Sequence, residues 1–323
     1  MNCVKTGSNR SPTEDAGTQR SMIKMGQSRL LERIKLLLVM TKPTQLALLM
    51  WTMYGAYFIG GGSLNLKTLL LLFLTGLGSA GGVTALNMYI ESDIDKIMPR
   101  TSKRPLPSGA LSQKEAIAGI TLLILVGTIA AGLINKWVML ATLIGLYFDI
   151  IAYTEIAKRS TEWSLLFGSV AGSMPALGGW AAATGKISLP GVLLAGIVYV
   201  WQPLHVAFIH YYYYNDYSRA GIPTIPGELG TGTFALLAVF SVIMVPLILF
   251  IFIVFEKYGI ITLIITIILV IKSLRKIKLF SINPSREAAR EMIKYASPLV
   301  GVVFLLLPLE HILAVSVQLK LLF

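Results

Sequence analysis

The chain has 323 residues, of which 55% are hydrophobic and only 14% charged, and its mean hydropathy is +0.72. Soluble domains carry charged residues at about 25%, so a soluble two-domain enzyme is a poor reading, and a single cysteine, Cys3, leaves no disulfide framework and no cysteine-built zinc or iron–sulfur site. The net charge of +12 in such an apolar chain signals asymmetric loops of a polytopic membrane protein rather than nucleic-acid binding.

Residues 1–28 read as a disordered polar tail. They lack the apolar core of a signal peptide, and Glu14 with Asp15 argues against a transit peptide. Arg29–Met40, with Arg29, Glu32, Arg33 and Lys35 among leucines, reads as an interfacial amphipathic helix. From there residues 29–323 form one all-α transmembrane domain. Apolar stretches at 43–62, 66–90, 113–134, 137–156, 163–184, 188–211, 232–255, 257–274 and 295–319 predict nine spanning helices. That arrangement puts 23 of the 28 lysines and arginines on the side of the tail and five on the other. Basic loops stay cytoplasmic, so the amino terminus and the two long loops, roughly 91–112 and 212–231, are expected there, with the carboxyl terminus outside a cell membrane.

The first long loop carries the strongest chemical signal. Asn87, Glu91 and Asp95 recur at i, i+4 and i+8 where the second span leaves the membrane, so a helix would align them as one oxygen-rich stripe. Mg²⁺ takes oxygen ligands and commonly bridges one or two carboxylates to a substrate phosphate. Arg100, Lys103 and Arg104 follow at once and suit phosphate oxygens. The blander alternative is a solvated charged loop.

The run Asn87-x-x-x-Glu91-x-x-x-Asp95, followed by Arg100-Thr101-x-x-Arg104-Pro105-Leu106-Pro107-Ser108-Gly109, resembles the first aspartate-rich motif of the UbiA superfamily of intramembrane prenyltransferases, with Glu91 where the family has Asp. Later segments resemble its protohaem IX farnesyltransferase (haem O synthase) branch. These are Tyr153-Thr154-x-x-x-Lys158-Arg159, Gly168-x-x-Ala171-Gly172-x-x-Pro175-x-x-Gly178-Gly179-Trp180, Trp201-Gln202-Pro203-Leu204-His205, and Asp216-Tyr217-Ser218-Arg219-Ala220-Gly221-Ile222-Pro223. Val206 and Ala207 depart from that branch's Phe-Trp after the histidine, and Asn215 and Ala220 stand where relatives carry further acids.

The resemblance implies a nine-helix UbiA bundle that uses Mg²⁺ to transfer the farnesyl group of farnesyl diphosphate to a vinyl group of haem B, giving haem O. It implies metal ligation by Asn87, Glu91, Asp95 and Asp216, with Asp95, Asp216 and Lys158 catalytic. Arg100, Arg104, Lys158 and Arg159 would hold the diphosphate, and Tyr89, Tyr147, Tyr153 and Trp201 would face the allylic cation. His205 would contact haem, against the alternative of a hydrogen-bonded packing histidine. His210 and His311 carry weaker expectations, and Asp149 is an intramembrane acid that could pair with a lysine or line the groove. Besides the lipid bilayer, a haem A synthase or terminal-oxidase assembly factor is the partner implied. The other reading is a UbiA-type enzyme acting on a quinone or glycerophospholipid precursor. A transporter is disfavoured because the acids cluster at one interface. Tyr211–Tyr214 reads as an interfacial belt, and Gly76, Gly78, Gly81 and Gly82 as close helix packing.

Overall fold

A computed structural model describes residues 29–322, and among these every regular element is a helix; the expected polar tail lies outside the described residues. Helix α1 (Arg29–Met40) meets α2 (Pro43–Ile59) at a bend of 62°. The sequence dictates this break, because a residue before proline is driven out of the α region. Lys42, ahead of Pro43, takes a left-handed conformation with φ 48°, which a non-glycine residue holds only where its surroundings enforce it.

The chain continues through α3 (Leu66–Ile90), the short α4 (Ser92–Ile97), α5 (Gln113–Ile134), α6 (Lys136–Ala157), α7 (Ser164–Thr184) and α8 (Leu189–Tyr212). Two short helices, α9 (Tyr214–Arg219) and α10 (Ile225–Glu228), precede α11 (Gly230–Glu256), α12 (Ile260–Ile282) and α13 (Arg286–Leu322). Local signals set the boundaries. Ser112 and Glu115 form a reciprocal capping box at the start of α5. Asn135 caps α6 by accepting from the Trp137 and Val138 amides, and its own amide donates to the Ala181 carbonyl at 2.9 Å, tying that turn to α7. Glu310 accepts from the Ile261 and Thr262 amides at the start of α12, so the acid beside His311 has a structural role.

Seven helices are individually long and apolar enough to cross a membrane, and the bent α1–α2 pair makes an eighth. The expected count of nine is not reached among the described residues, although all nine expected stretches are helical. Helix α2 alone has 17 residues, about 25 Å at 1.5 Å per residue against a hydrocarbon core near 30 Å. Helix α12 has 23 residues but carries Lys272, Arg275, Lys276 and Lys278 in its second half. Outward faces are aliphatic: Leu236, Phe240, Leu247 and Phe250 of α11 and Ile260, Ile264 and Ile271 of α12 are 46–72% exposed. Such a surface is stable against lipid, not water. The chain is a multi-pass membrane protein.

Two kinds of packing hold the bundle. In the second half, Phe208, Phe234 and Phe280 from α8, α11 and α12 interlock edge to face at 4.6–5.5 Å between ring centres, with Met292, Leu299 and Val303 of α13 buried in the same core. In the first half, backbones touch through glycine. A Cβ on Gly78 of α3 would run into the Gly127 backbone of α5, and one on Gly179 of α7 would run into the Met53 carbonyl of α2, the close approach that small residues permit between membrane helices. Because they are drawn together at these points, α2, α3, α6, α7 and α8 can enclose a cavity rather than a solid core.

Candidate active site

That cavity has a volume of about 560 Å³ and walls that are mostly apolar or small. Its polar lining includes Lys42, Gln45, Asp149, Gln202 and His205. Helix α6 ends, and α7 begins, beside the charged loops. Asp149 and Gly168 therefore lie towards the charged end, while Val138 and Gly178 lie at the far end.

At the charged end α3 stops at Ile90 and α4 restarts at Ser92, with Glu91 between them at φ −90°, ψ 11°. The break does not scatter the stripe, because the amides of Glu91 and Asp95 still donate to the carbonyls of Asn87 and Glu91, both at 2.9 Å. Each acid of the motif meets a cation. Lys158 pairs with Glu91. Arg104 Nη1 donates to both Asp95 oxygens at 2.6 and 2.8 Å. Arg159 makes a two-point contact with Asp93 at 3.0 and 3.1 Å, and this hydrogen bonding holds the Asp93 carboxyl below its ordinary range. Asn87 faces inward, donating to Asp149 Oδ1 at 2.5 Å and accepting from the Thr154 hydroxyl at 2.8 Å.

A π segment at Phe148–Ala157 closes α6 and presents Asp149, Tyr153 and Thr154 ahead of Lys158. A second π segment, Gly76–Gly81, precedes the motif on α3. π segments are rare and recur at functional sites, and here both lie on the helices that bring the two halves of the charged cluster together.

The second long loop folds onto the first. Ile94 and Met98 pack with Tyr217, Ala220 and Ile222, and Arg100 lies 3.9 Å from Asp216 while stacking over Tyr213 at 4.5 Å. The structure thus gathers Glu91, Asp95, Asp216, Arg100, Arg104, Lys158 and Arg159 at one end of the cavity. Among the described residues no three acidic, histidine or cysteine side chains converge as a ready metal cage. Mg²⁺ normally takes one or two carboxylates and completes its shell with water and substrate phosphate, so Glu91 and Asp95, hard oxygen donors one helical turn apart, fit it. Both oxygen and nitrogen of the Asn87 amide are already engaged.

Of the expected aromatic residues, Trp201 lines the cavity, its indole N–H donating to the Ala296 carbonyl at 2.7 Å and its ring stacked on His205 at 4.9 Å. Tyr153 lies under Lys158, 5.3 Å from its ammonium. Tyr89 packs instead with the Met40–Met88 cluster. Tyr147 is 56% exposed on the outer face of α6 and is not brought to the cavity; it falls one position before the π segment re-aims the helix. His205 lines the cavity with Nδ1 buried and without a hydrogen-bond partner. His210 Nδ1, off the cavity, is likewise buried without a partner, so it is the position of His205 in the cavity wall that favours a ligand contact. His210 is buried against Tyr217 away from the cavity lining, and His311 packs edge-on against Tyr258.

The sequence reading missed Lys42 and Gln202. Lys42, counted there only as a basic charge, lines the cavity from the strained turn before α2, and the lysine directly ahead of Pro43 at the mouth of a span was the available signal. Gln202, a polar residue in an apolar run, donates to the Gly168 carbonyl at 3.2 Å. Asp149 both lines the cavity and pairs with Asn87.

The UbiA prenyltransferase family matches residues 48–298. A protoheme IX farnesyltransferase of Aeropyrum pernix is 48% identical over 91% of this chain and 97% of its own length. One of Korarchaeum cryptofilum is 41% identical over 85% and 94% respectively. Among solved structures, a digeranylgeranylglyceryl phosphate synthase superposes with a TM-score of 0.72 at 18% identity, covering 87% of this chain and 99% of that one. A UbiA homologue of Archaeoglobus fulgidus bound to GPP and Mg²⁺ superposes with a TM-score of 0.60 at 13% identity, covering 84% and 99%. At these identities the two structures establish the fold.

Proposed function

Since the chain belongs to the UbiA prenyltransferase family, we propose that it converts haem B to haem O by Mg²⁺-dependent transfer of the farnesyl group from farnesyl diphosphate to a haem vinyl group. The observation that carries this reading is the 48% identity to a protoheme IX farnesyltransferase across nearly the whole of both chains. The cavity suits it, with an apolar bore for the prenyl chain, a charged end for the diphosphate, and a histidine in the wall.

Bound Mg²⁺ would neutralise the diphosphate and make it a better leaving group; Glu91 and Asp95 would hold it, with Asp216 facing them across the loop. Lys158, Arg104, Arg159 and Arg100 each rest on a carboxylate and can turn to diphosphate oxygens once those carboxylates are engaged. Their charge then acts where negative charge develops as the C–O bond breaks. Trp201 and Tyr153 present aromatic faces near the allylic cation left on the prenyl chain. The vinyl terminal carbon forms the new C–C bond, and water adds to the adjacent carbon, losing a proton, to give the hydroxyethylfarnesyl group. His205, in the cavity wall, would contact haem and orient that vinyl group. The excess of basic residues around the charged end supports a cytoplasmic position for it in the cell membrane, and a haem A synthase is the class of enzyme that would consume the product.

The test is to incubate membranes containing the protein with haem B, farnesyl diphosphate and Mg²⁺, with and without chelator, and to read haem O by mass spectrometry. Chelator-sensitive haem O supports the assignment. Diphosphate release only on adding a quinone or glycerophospholipid precursor would replace haem as the acceptor.

A further inference from the structure

We infer that Gly178 sets the length of prenyl chain that the cavity accepts, an assignment that rests on reading the cavity as the prenyl site. A glycine inside a helix costs about 1 kcal/mol relative to alanine, so each interior glycine of this bundle needs a reason. Most have one in packing. Gly78 and Gly127 meet backbone to backbone, Gly179 faces the Met53 carbonyl, and Gly172 makes room for the Gln202 side chain. Gly145, Gly178, Gly196, Gly232 and Gly301 have no such reason, and of these only Gly145 and Gly178 line the cavity, Gly178 at its far end. A Cβ there would meet only the Cβ of Ala141, at 3.9 Å, an ordinary contact, and its φ is not left-handed. Helix packing therefore leaves the choice open, and what the missing side chain leaves behind is cavity.

Its position gives that space a meaning. Gly168, Ala171, Gly172, Pro175 and Gly178 line the cavity along one face of α7, a run of about 15 Å at 1.5 Å per residue. Opposite, Asp149 to Val138 on α6 covers about 16 Å. A farnesyl main chain of about twelve carbons spans roughly 14 Å when each C–C bond of about 1.5 Å advances it by about 1.25 Å. The bore thus ends where a farnesyl chain with its diphosphate at the charged end would end. Gly178 forms the floor together with Met53 and Val138, which are 3% and 1% exposed. A side chain at 178 would take up the room of the last isoprene unit.

The experiment compares geranyl, farnesyl and geranylgeranyl diphosphates as competing donors, with Mg²⁺, for the intact protein in lipid nanodiscs. Gly178→Leu is expected to shift donor preference from farnesyl to geranyl by about tenfold or more, the scale on which a hydrophobic pocket discriminates chain size. Gly178→Ala should move it in the same direction by less, and Met53→Ala should open the floor and raise relative use of geranylgeranyl diphosphate. Unchanged donor ratios in Gly178→Leu, or equal loss of all three donors, would overturn the assignment. Should Gly178→Leu fail to fold, the opposite shifts of Gly178→Ala and Met53→Ala decide the matter. Ratios are read both in product and from competitive binding of the three diphosphates, so absence of haem product would refute the haem reading and leave this one measurable.

Discussion

Replacing Arg104 with glutamine tests how metal and diphosphate share the site. Asp95 is buried, its side chain only 4% exposed, and both of its oxygens accept from Arg104 Nη1 at 2.6 and 2.8 Å. A hydrogen bond to a charged group is worth about 1.5–3 kcal/mol, and the 21% exposure of the arginine side chain argues for the lower part of that range. A cation that would use Asp95 must first displace this pair. Removing the guanidinium should therefore tighten Mg²⁺ binding in the absence of substrate by about tenfold, at 1.4 kcal/mol per decade. The same change removes a diphosphate contact, so farnesyl diphosphate affinity and turnover should fall. Mg²⁺ titration by calorimetry in nanodiscs reads the first effect, and steady-state kinetics the second. A variant that binds Mg²⁺ no better than the parent, or worse, would refute the exchange between guanidinium and metal at Asp95.

Asp95→Asn keeps the shape but removes the anion; turnover should drop at least a hundredfold with loss of Mg²⁺ dependence, and normal turnover in a chelator-sensitive assay would count against ligation there. His205→Ala should lower haem use at least tenfold while farnesyl diphosphate binding stays within about threefold, and equal loss of both would indicate a packing role. Gly78→Leu should abolish the folded protein, because its side chain would have to occupy the Gly127 backbone of α5; a well-folded variant by size-exclusion and thermal melting would contradict the close approach. Asp93→Asn, by contrast, breaks an exposed pair and should cost less than about 1 kcal/mol in a melting assay.

Much of this site was legible in the order of residues because its logic is local. The i, i+4, i+8 spacing of Asn87, Glu91 and Asp95 survives the α3–α4 break, since the backbone ladder continues through Glu91. The partners of those acids were not legible. Lys158 and Glu91 are 67 positions apart and meet only because a π segment re-aims the end of α6, and π geometry has no simple sequence period. Tyr147 and Tyr153, six positions apart, fall about 120° from one another even on a regular helix, so the outward position of Tyr147 could have been read from spacing alone. Hydropathy located every spanning stretch as a helix; among the described residues the count of nine is not reached on length and composition because α2 is short and α12 carries its basic residues along one continuous helix. Glycine gave the least away: Gly78 and Gly178 look alike in sequence, and only the neighbour that each one meets tells packing from clearance.

The pairing of acids with cations at the mouth of the cavity has a consequence for the order of binding. Glu91, Asp93, Asp95 and Asp216 each stand beside a base, Lys158, Arg159, Arg104 and Arg100 in turn. A divalent cation alone would therefore meet bases that repel it, and a diphosphate alone would meet acids that do the same. Brought together, each frees the partners that the other needs. Metal and donor would then raise one another's affinity by one and the same factor, and neither free Mg²⁺ nor a stray phosphate would bind tightly without the other.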